Sequence, residues 1–133
     1  MNSGSCMCGQ VRFEAAGTLR KVIFCHCSQC RKSSGHFFAA TAVQKESLTV
    51  SGDVSWFQSS EDAKRGFCAI CGSSLFFDAG HNHMSVLAGA FDGQPDFGAA
   101  GHIFCSDKGG YYEIEDGLPQ ADGYDPAITA AAW

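Results

Sequence analysis

The chain has 133 residues, of which 45% are apolar and 17% charged, and its net charge is −5. This composition predicts a folded globular chain with one core, because the length is too short for two. Its basic residues form no group larger than a dipeptide, so it lacks the basic stripe that phosphate contacts require, and nucleic acid is not expected as a partner. No apolar run approaches the ~20 residues that span a bilayer, so no membrane partner is expected.

Short segments of alternating polarity, separated by glycine-containing turns, run along the chain. The first is "GQVRFEAAG", in which alternate side chains face opposite sides, as in a strand. Further strand candidates follow in chain order: "KVIFCHC", "HFFAATAV", "SLTVSG", "DVSWFQS", "SSLFFDAG", "HMSVLAGAF", "GHIFCS" and "GYYEIED". "SQCRKSSG" and "QKESL" are each predicted to form one helical turn. Together these patterns predict an all-β domain of antiparallel strands, either packed sheets or a partly open barrel.

The sequence predicts a single domain over residues 1–133, with a core at about 4–124 and an irregular tail over 125–133. Its start, "MNSGSCMCGQ", has neither the basic nor the apolar region of a signal peptide. A reducing cytoplasm is therefore the expected compartment. In that compartment, eight cysteines indicate metal binding or catalysis more than disulfides. The oligomeric state cannot be deduced from these features.

The spacing of the eight cysteines divides them into three groups and a singleton. The groups are the pair Cys6 and Cys8, the trio Cys25, Cys27 and Cys30, and the pair Cys68 and Cys71; the singleton is Cys105. Each pair is expected to form a knuckle, and two knuckles brought together make a tetrahedral four-cysteine zinc site of the structural kind. The glycines after Cys8 and Cys71 favour this interpretation, because they let backbone N–H groups turn toward sulfur. Paired disulfides or free buried thiols are the alternatives.

The trio is predicted to hold a second zinc ion. Three protein ligands leave one tetrahedral position open, which is typical of a catalytic site. Three thiolates make zinc a weak Lewis acid toward water and suit it to a thiol as fourth ligand. Three alternatives stay open: Cys105 closes the site, His26 closes it if the knuckle twists, or the trio is a redox cluster.

Several motifs together resemble one known family. They are "GSCMCGQV", "CHCSQCRKSSG", "FCAICGSSLFF", "VLAGAFD", "GHIFCSDK" and "YYEIEDGLPQADGY", and they extend from about Gly4 to Tyr124. In this order they resemble the glutathione-dependent formaldehyde-activating enzyme family, which also contains the centromere protein V group. The resemblance implies an all-β fold of the β-tent type with two zinc sites.

The same resemblance implies which cysteines bind each zinc ion and what reaction they serve. The structural site matches Cys6, Cys8, Cys68 and Cys71, and the catalytic site matches Cys25, Cys27 and Cys30. The implied substrates are glutathione and formaldehyde, a small aldehyde. Their product is S-hydroxymethylglutathione, so the implied activity is that of a carbon–sulfur lyase.

Three features depart from the family pattern. Cys105 replaces a small or apolar residue, Tyr111 replaces a frequent tryptophan, and the "HNH" histidines are unusual. The first departure bears on whether the trio keeps an open position, and the second bears on a pocket wall.

Charged, histidine and aromatic residues complete the candidate site. Arg31 and Lys32 follow the trio directly and are candidates to pair with the two carboxylates of glutathione; solvated loop charges are the alternative. His36 is a candidate proton shuttle or a surface residue. The pairs Phe37–Phe38 and Phe76–Phe77 are expected to pack in the core, with one ring available to the pocket.

Two other functions fit the same sequence. One is a non-catalytic zinc-binding β module that recognises a protein, because a fold does not fix a function. The other is a thiol redox or metal-buffering protein.

Overall fold

Ten short strands and two short helices make up the fold in the structure, a computed structural model that describes residues 1–133. The strands are β1 (Asn2–Ser5), β2 (Arg12–Ala15), β3 (Val22–Cys25), β4 (Phe38–Gln44), β5 (Leu48–Ser51), β6 (Val54–Gln58), β7 (Lys64–Cys68), β8 (Ser74–Asp78), β9 (His83–Leu87) and β10 (Ala99–Ile103). The helices are α1 (Ser28–Ser34) and α2 (Pro126–Thr129). The prediction of an all-β fold is confirmed.

The strands form two sheets. The smaller sheet has three strands in the order β1-β2-β5, and both pairs are antiparallel. The larger has seven, in the order β10-β3-β4-β9-β8-β7-β6, and all its pairs are antiparallel except β10 with β3. Strands β3 and β4 therefore lie inside the large sheet, which fixes the backbone around Cys25 on both sides.

The main core contains aromatic and aliphatic side chains from both sheets. Phe13 of the small sheet meets Phe76 of the large sheet edge to face at 5.7 Å and Phe91 at 5.0 Å. Such edge-to-face pairs add to the free energy gained from burial. Phe76 is thus a core residue as predicted, whereas its neighbour Phe77 lines a cavity.

Two strands were not predicted from the sequence, and one predicted strand is wrong. β1 is polar and β7 contains two adjacent basic residues, so neither shows the alternation expected of a strand. "GYYEIED" forms no strand. The bridge to β10 lies beyond this segment, between His102 and Gln120.

The C-terminal stretch, predicted to be irregular, contains α2 and a following 3₁₀ turn. The carboxylate of Asp125 accepts a hydrogen bond from the Ala127 N–H at 2.9 Å, which caps the helix. Ile128 is buried against Ile23 and Ile103, so this stretch packs on the edge of the large sheet. No helix in the structure has the length and apolar character needed to cross a membrane.

Candidate metal centres and the adjoining cavity

The four-cysteine cluster brings together the two cysteine pairs that were predicted to form one zinc site. Its members are Cys6, Cys8, Cys68 and Cys71, and their four sulfurs lie within 4.8 Å of one another. The sulfur of Cys8 lies 3.6 Å from that of Cys6 and 3.8 Å from that of Cys68. Zinc–sulfur bonds of about 2.3 Å in a tetrahedron place two sulfurs about 3.8 Å apart, so these separations fit a zinc ion.

Each knuckle of the four-cysteine cluster ends on a glycine with a positive φ. Gly9 has φ 80° and Gly72 has φ 79°, a conformation that other residues adopt only under strain. The turns bring the Gly9 N–H to 3.1 Å from the Cys6 carbonyl and the Val11 N–H to 3.3 Å from the Cys6 sulfur. The predicted role of these glycines is confirmed for the first knuckle.

The three-cysteine cluster lies where β3 passes into α1. Its members are Cys25, Cys27 and Cys30, whose sulfurs lie within 4.8 Å of one another. Cys25 ends β3, and Cys27 is the N-cap of α1, its sulfur accepting a hydrogen bond from the Cys30 N–H at 3.4 Å. Cys25 and Cys27 lie just before the helix. The first turn of the helix then brings the Cys30 sulfur back beside their sulfurs.

Hydrogen bonds within the three-cysteine cluster concentrate negative charge on one sulfur. Hydrogen bonds from Cys25 and Cys30 lower the pKa of Cys27 to about 2. The same contact with Cys27 raises the pKa of Cys25. At this separation, a single thiolate among the three thiols is favourable, because the other two donate hydrogen bonds to it. Ionisation of all three requires a cation to offset the repulsion between the negative charges. This donor set fits a zinc ion with three protein ligands.

The two residues considered as a fourth ligand lie elsewhere. Cys105 begins a 3₁₀ turn and is not part of the three-cysteine cluster. The His26 ring is fully buried and not part of the three-cysteine cluster, and its Nε2 lies 2.8 Å from Nδ1 of His102.

The three-cysteine cluster opens on a cavity of about 670 Å³. Phe38, Phe77 and Arg65 form the wall beside the sulfurs. The guanidinium of Arg65 lies between the two rings, 5.2 Å from the centroid of Phe38 and 4.9 Å from that of Phe77. Its Nη2 donates to the Cys30 sulfur at 3.6 Å. Arg65 therefore offsets the negative charge of the cluster.

The sequence model of the glutathione-dependent formaldehyde-activating enzyme family matches residues 1–107, a range that contains both cysteine clusters. The chain belongs to this family. An uncharacterized lyase of Schizosaccharomyces pombe is 31% identical to it over 114 residues, which are 84% of this chain and 83% of that protein. A crystal structure of a Rhodobacter sphaeroides protein, 24% identical, has the same fold with a TM-score of 0.61, over 76% of this chain and 99% of that one.

Among the residues predicted to serve this family's chemistry, Arg31 and Lys32 lie on α1 and do not line the cavity. His36 is exposed, and its Nδ1 lies 2.5 Å from the Tyr111 hydroxyl. The assignment of Arg31 and Lys32 to glutathione stays a prediction. Arg65, which does contact the cluster, was not predicted, because no local pattern relates it to a cysteine 35 positions earlier.

A hydrogen-bonded chain with two buried histidines at its centre also escaped the sequence analysis. We name it the histidine chain; it consists of Tyr112, His26, His102 and Asp116, in that order. Burial, with a further contribution from His102, lowers the pKa of His26 to about 4, so His26 is neutral at pH 7. The His26 N–H also donates to the Ile103 carbonyl at 3.1 Å. His26 lies between Cys25 and Cys27 in the chain, so its hydrogen bonds hold the backbone of both cysteines in place.

Proposed function

We propose that this chain is a cytoplasmic, zinc-dependent carbon–sulfur lyase that acts on the adduct of glutathione and a small aldehyde, as S-(hydroxymethyl)glutathione synthase does. The observation that carries the proposal is the three-cysteine cluster, which opens on a cavity large enough for a tripeptide. Membership of the family supports the substrates, and the name of the yeast relative supports a lyase.

The residues of the cluster are proposed to hold zinc through three sulfurs. A zinc ion held there would lower the pKa of a substrate thiol. All eight cysteines are free of disulfides, which leaves the seven clustered ones available as ligands. The four-cysteine cluster is proposed to hold a second zinc ion with a structural role.

The protein's contribution to the reaction is chiefly to position two small reactants. The thiol sulfur forms a bond to the aldehyde carbon, and the thiol proton passes to the aldehyde oxygen, giving a hydroxymethyl thioether; cleavage reverses both steps. Arg65 stabilises the anionic sulfurs beside the reacting thiol. Phe38 and Phe77 exclude water from the same wall. Holding both reactants in contact lowers the entropic barrier.

A metal count and an exchange measurement test this function. The native chain should bind two zinc ions, and Cys27→Ser should bind one while remaining folded. Exchange between free ¹³C-formaldehyde and its glutathione adduct, followed by NMR, should be at least about tenfold faster with the native protein than without it. Cys27→Ser should lose this acceleration.

Cys105→Ser is the matched control, because Cys105 is a cysteine outside both clusters. It should keep two zinc ions and the native exchange rate. One zinc ion per native chain, or an exchange rate equal to the spontaneous one, would contradict the proposed enzyme and favour a zinc-binding recognition module.

A further inference from the structure

A second arginine in the cavity wall, Arg20, is almost completely buried. Only 8% of its surface is exposed, yet the side chain lines the cavity. Its backbone is held firmly, because the N–H donates to the Ala42 carbonyl at 2.9 Å and the carbonyl accepts from the Thr41 hydroxyl at 2.5 Å. The backbone of Arg20 therefore has a fixed place in the wall.

The guanidinium of Arg20 lacks the partners that a buried cation requires. Its Nη2 donates to the Ala40 carbonyl at 3.2 Å, and its Nε has no hydrogen-bond partner. The ion pairs in the structure are Lys45–Asp78 and His102–Asp116, so no carboxylate of the chain neutralises Arg20. Burial lowers the pKa of Arg20 to about 10, and the side chain remains charged at neutral pH. A buried charge without a counter-ion is costly.

The two arginines of the cavity differ in their partners. The lining contains no aspartate or glutamate, and its negative charge lies at the three-cysteine cluster, where Arg65 contacts the Cys30 sulfur. Arg20 has no negatively charged partner of this kind. The lining beside Arg20 therefore favours an anionic group.

The strand register sets the spacing between the three-cysteine cluster and the carbonyl that Arg20 contacts, and this spacing suits a thiol that carries a carboxylate. In the register of β3 and β4, Cys25 pairs with Phe38, and Ile23 pairs with Ala40. The carbonyl that holds Arg20 is thus two residues from the level of Cys25, a step of roughly 7 Å along a strand. A carboxylate one residue away from a cysteine in a peptide lies at about the same distance from its sulfur.

We propose that Arg20 is a carboxylate-binding subsite, and that it selects thiols bearing a carboxylate about one residue from the sulfur. The part of this proposal that places a thiol at the three-cysteine cluster rests on the proposed function. The assignment of a carboxylate to Arg20 rests on three observations: the burial of Arg20, its Nε without a hydrogen-bond partner, and a cavity lining without aspartate or glutamate. A bound carboxylate accepts charge-assisted hydrogen bonds from the guanidinium and supplies the missing counter-ion.

The test uses S-methylglutathione, whose blocked sulfur removes any dependence on metal–thiol binding. Calorimetry on the zinc-loaded protein should show that Arg20→Gln weakens its binding about 10- to 100-fold. The dimethyl ester of the same compound, with both carboxylates blocked, should bind the native protein as weakly as S-methylglutathione binds Arg20→Gln. Arg12→Gln, an exposed arginine on β2, should bind like the native protein.

A variant that keeps the length of the side chain guards against a folding artefact. Arg20→Met should melt at the native temperature or higher, because it removes an uncompensated buried charge, and it should still lose S-methylglutathione binding. A large drop in its melting temperature would assign Arg20 a structural role and overturn the subsite.

Equal affinities of the native protein and Arg20→Gln, or no binding to the native protein at millimolar concentration, would also overturn the subsite. So would a loss of binding in Arg31→Gln with none in Arg20→Gln. The proposed function fails differently: free glutathione then gives no faster exchange, whatever S-methylglutathione does.

Discussion

At the scale of single residues, the pKa of His83, the first residue of β9, depends on the positive charge of Arg20 in the cavity wall. Its ring stacks on His81 with centroids 5.3 Å apart and meets the Trp133 ring at 5.6 Å. Burial, followed by the positive charge of Arg20, lowers the pKa of His83 below the ordinary value of 6.5. The pKa is thus sensitive to whether Arg20 is charged in the free protein.

We predict that Arg20→Met raises the pKa of His83 toward 6.5, because one of its two largest causes of depression disappears. A histidine NMR titration measures this. The native pKa is below that of the unfolded chain, so the unfolded state takes up a proton first as the pH falls through 6.5. His83 therefore reduces stability on the acid side of 6.5, and less so in Arg20→Met.

Arg12→Gln serves as the control for this titration and should leave His83 unchanged, because its arginine lies exposed in the small sheet. A His83 that titrates at or above 6.5 in the native protein would contradict the electrostatics on which the carboxylate subsite depends.

At the element scale, alternation of polarity predicted most of the strands but not their partners. β2 buries every second residue in the main core, and β8 contributes the adjacent Leu75 and Phe76 to it; both strands are apolar enough to be visible in the sequence. β1 and β7 are strands because neighbouring strands supply hydrogen-bond partners, a tertiary effect that polarity does not encode. "GYYEIED" shows the opposite: it alternates in polarity, but the edge of β10 pairs with the residues that follow it, through His102 and Gln120.

The histidine chain joins β10 to the segment that follows it, and its loss should destabilise this part of the fold. His102→Phe keeps the ring that stacks on Phe24 at 4.8 Å but removes both hydrogen bonds of His102. The buried Nε2 of His26 then has no partner, which costs about 1–3 kcal/mol. Urea unfolding of the zinc-loaded protein measures the change.

Asp116→Asn provides the comparison for the histidine chain. The Asp116 side chain is 43% exposed, so water replaces much of the lost interaction and the cost should be clearly smaller than that of His102→Phe. Equal effects of the two variants would show that the buried link between the two histidines contributes nothing of its own.

At the scale of the whole molecule, the two cysteine clusters were readable from the sequence, and the cavity was not. Cysteine ligands occur in local knuckles whose spacing survives in the sequence, so the division into four and three was predictable. Arg20 lines the cavity from the segment just before β3, and Arg65 lines it from β7. No spacing rule relates them to the cysteines, so the sequence analysis chose the adjacent Arg31 and Lys32 instead.

The two clusters should differ in their contribution to the stability of the molecule. The four-cysteine cluster joins the segment after β1 to the end of β7 and the turn that follows it, and it thus connects the two sheets. The three-cysteine cluster spans only six residues. Binding free energy at a structural zinc site, on the order of 10 kcal/mol, is folding free energy and is comparable to the whole stability of a small domain.

Cys71→Ser should therefore lose one zinc ion together with most of its cooperative thermal unfolding, whereas Cys27→Ser should lose one zinc ion and keep a melting temperature within a few degrees of the native value. Both variants remove one sulfur from a cluster, so each is the other's control. Zinc content and melting by circular dichroism, measured on the same samples, decide the matter. Equal melting temperatures of the two variants would indicate that both sites are structural. That result would contradict the assignment of the reaction to the three-cysteine cluster.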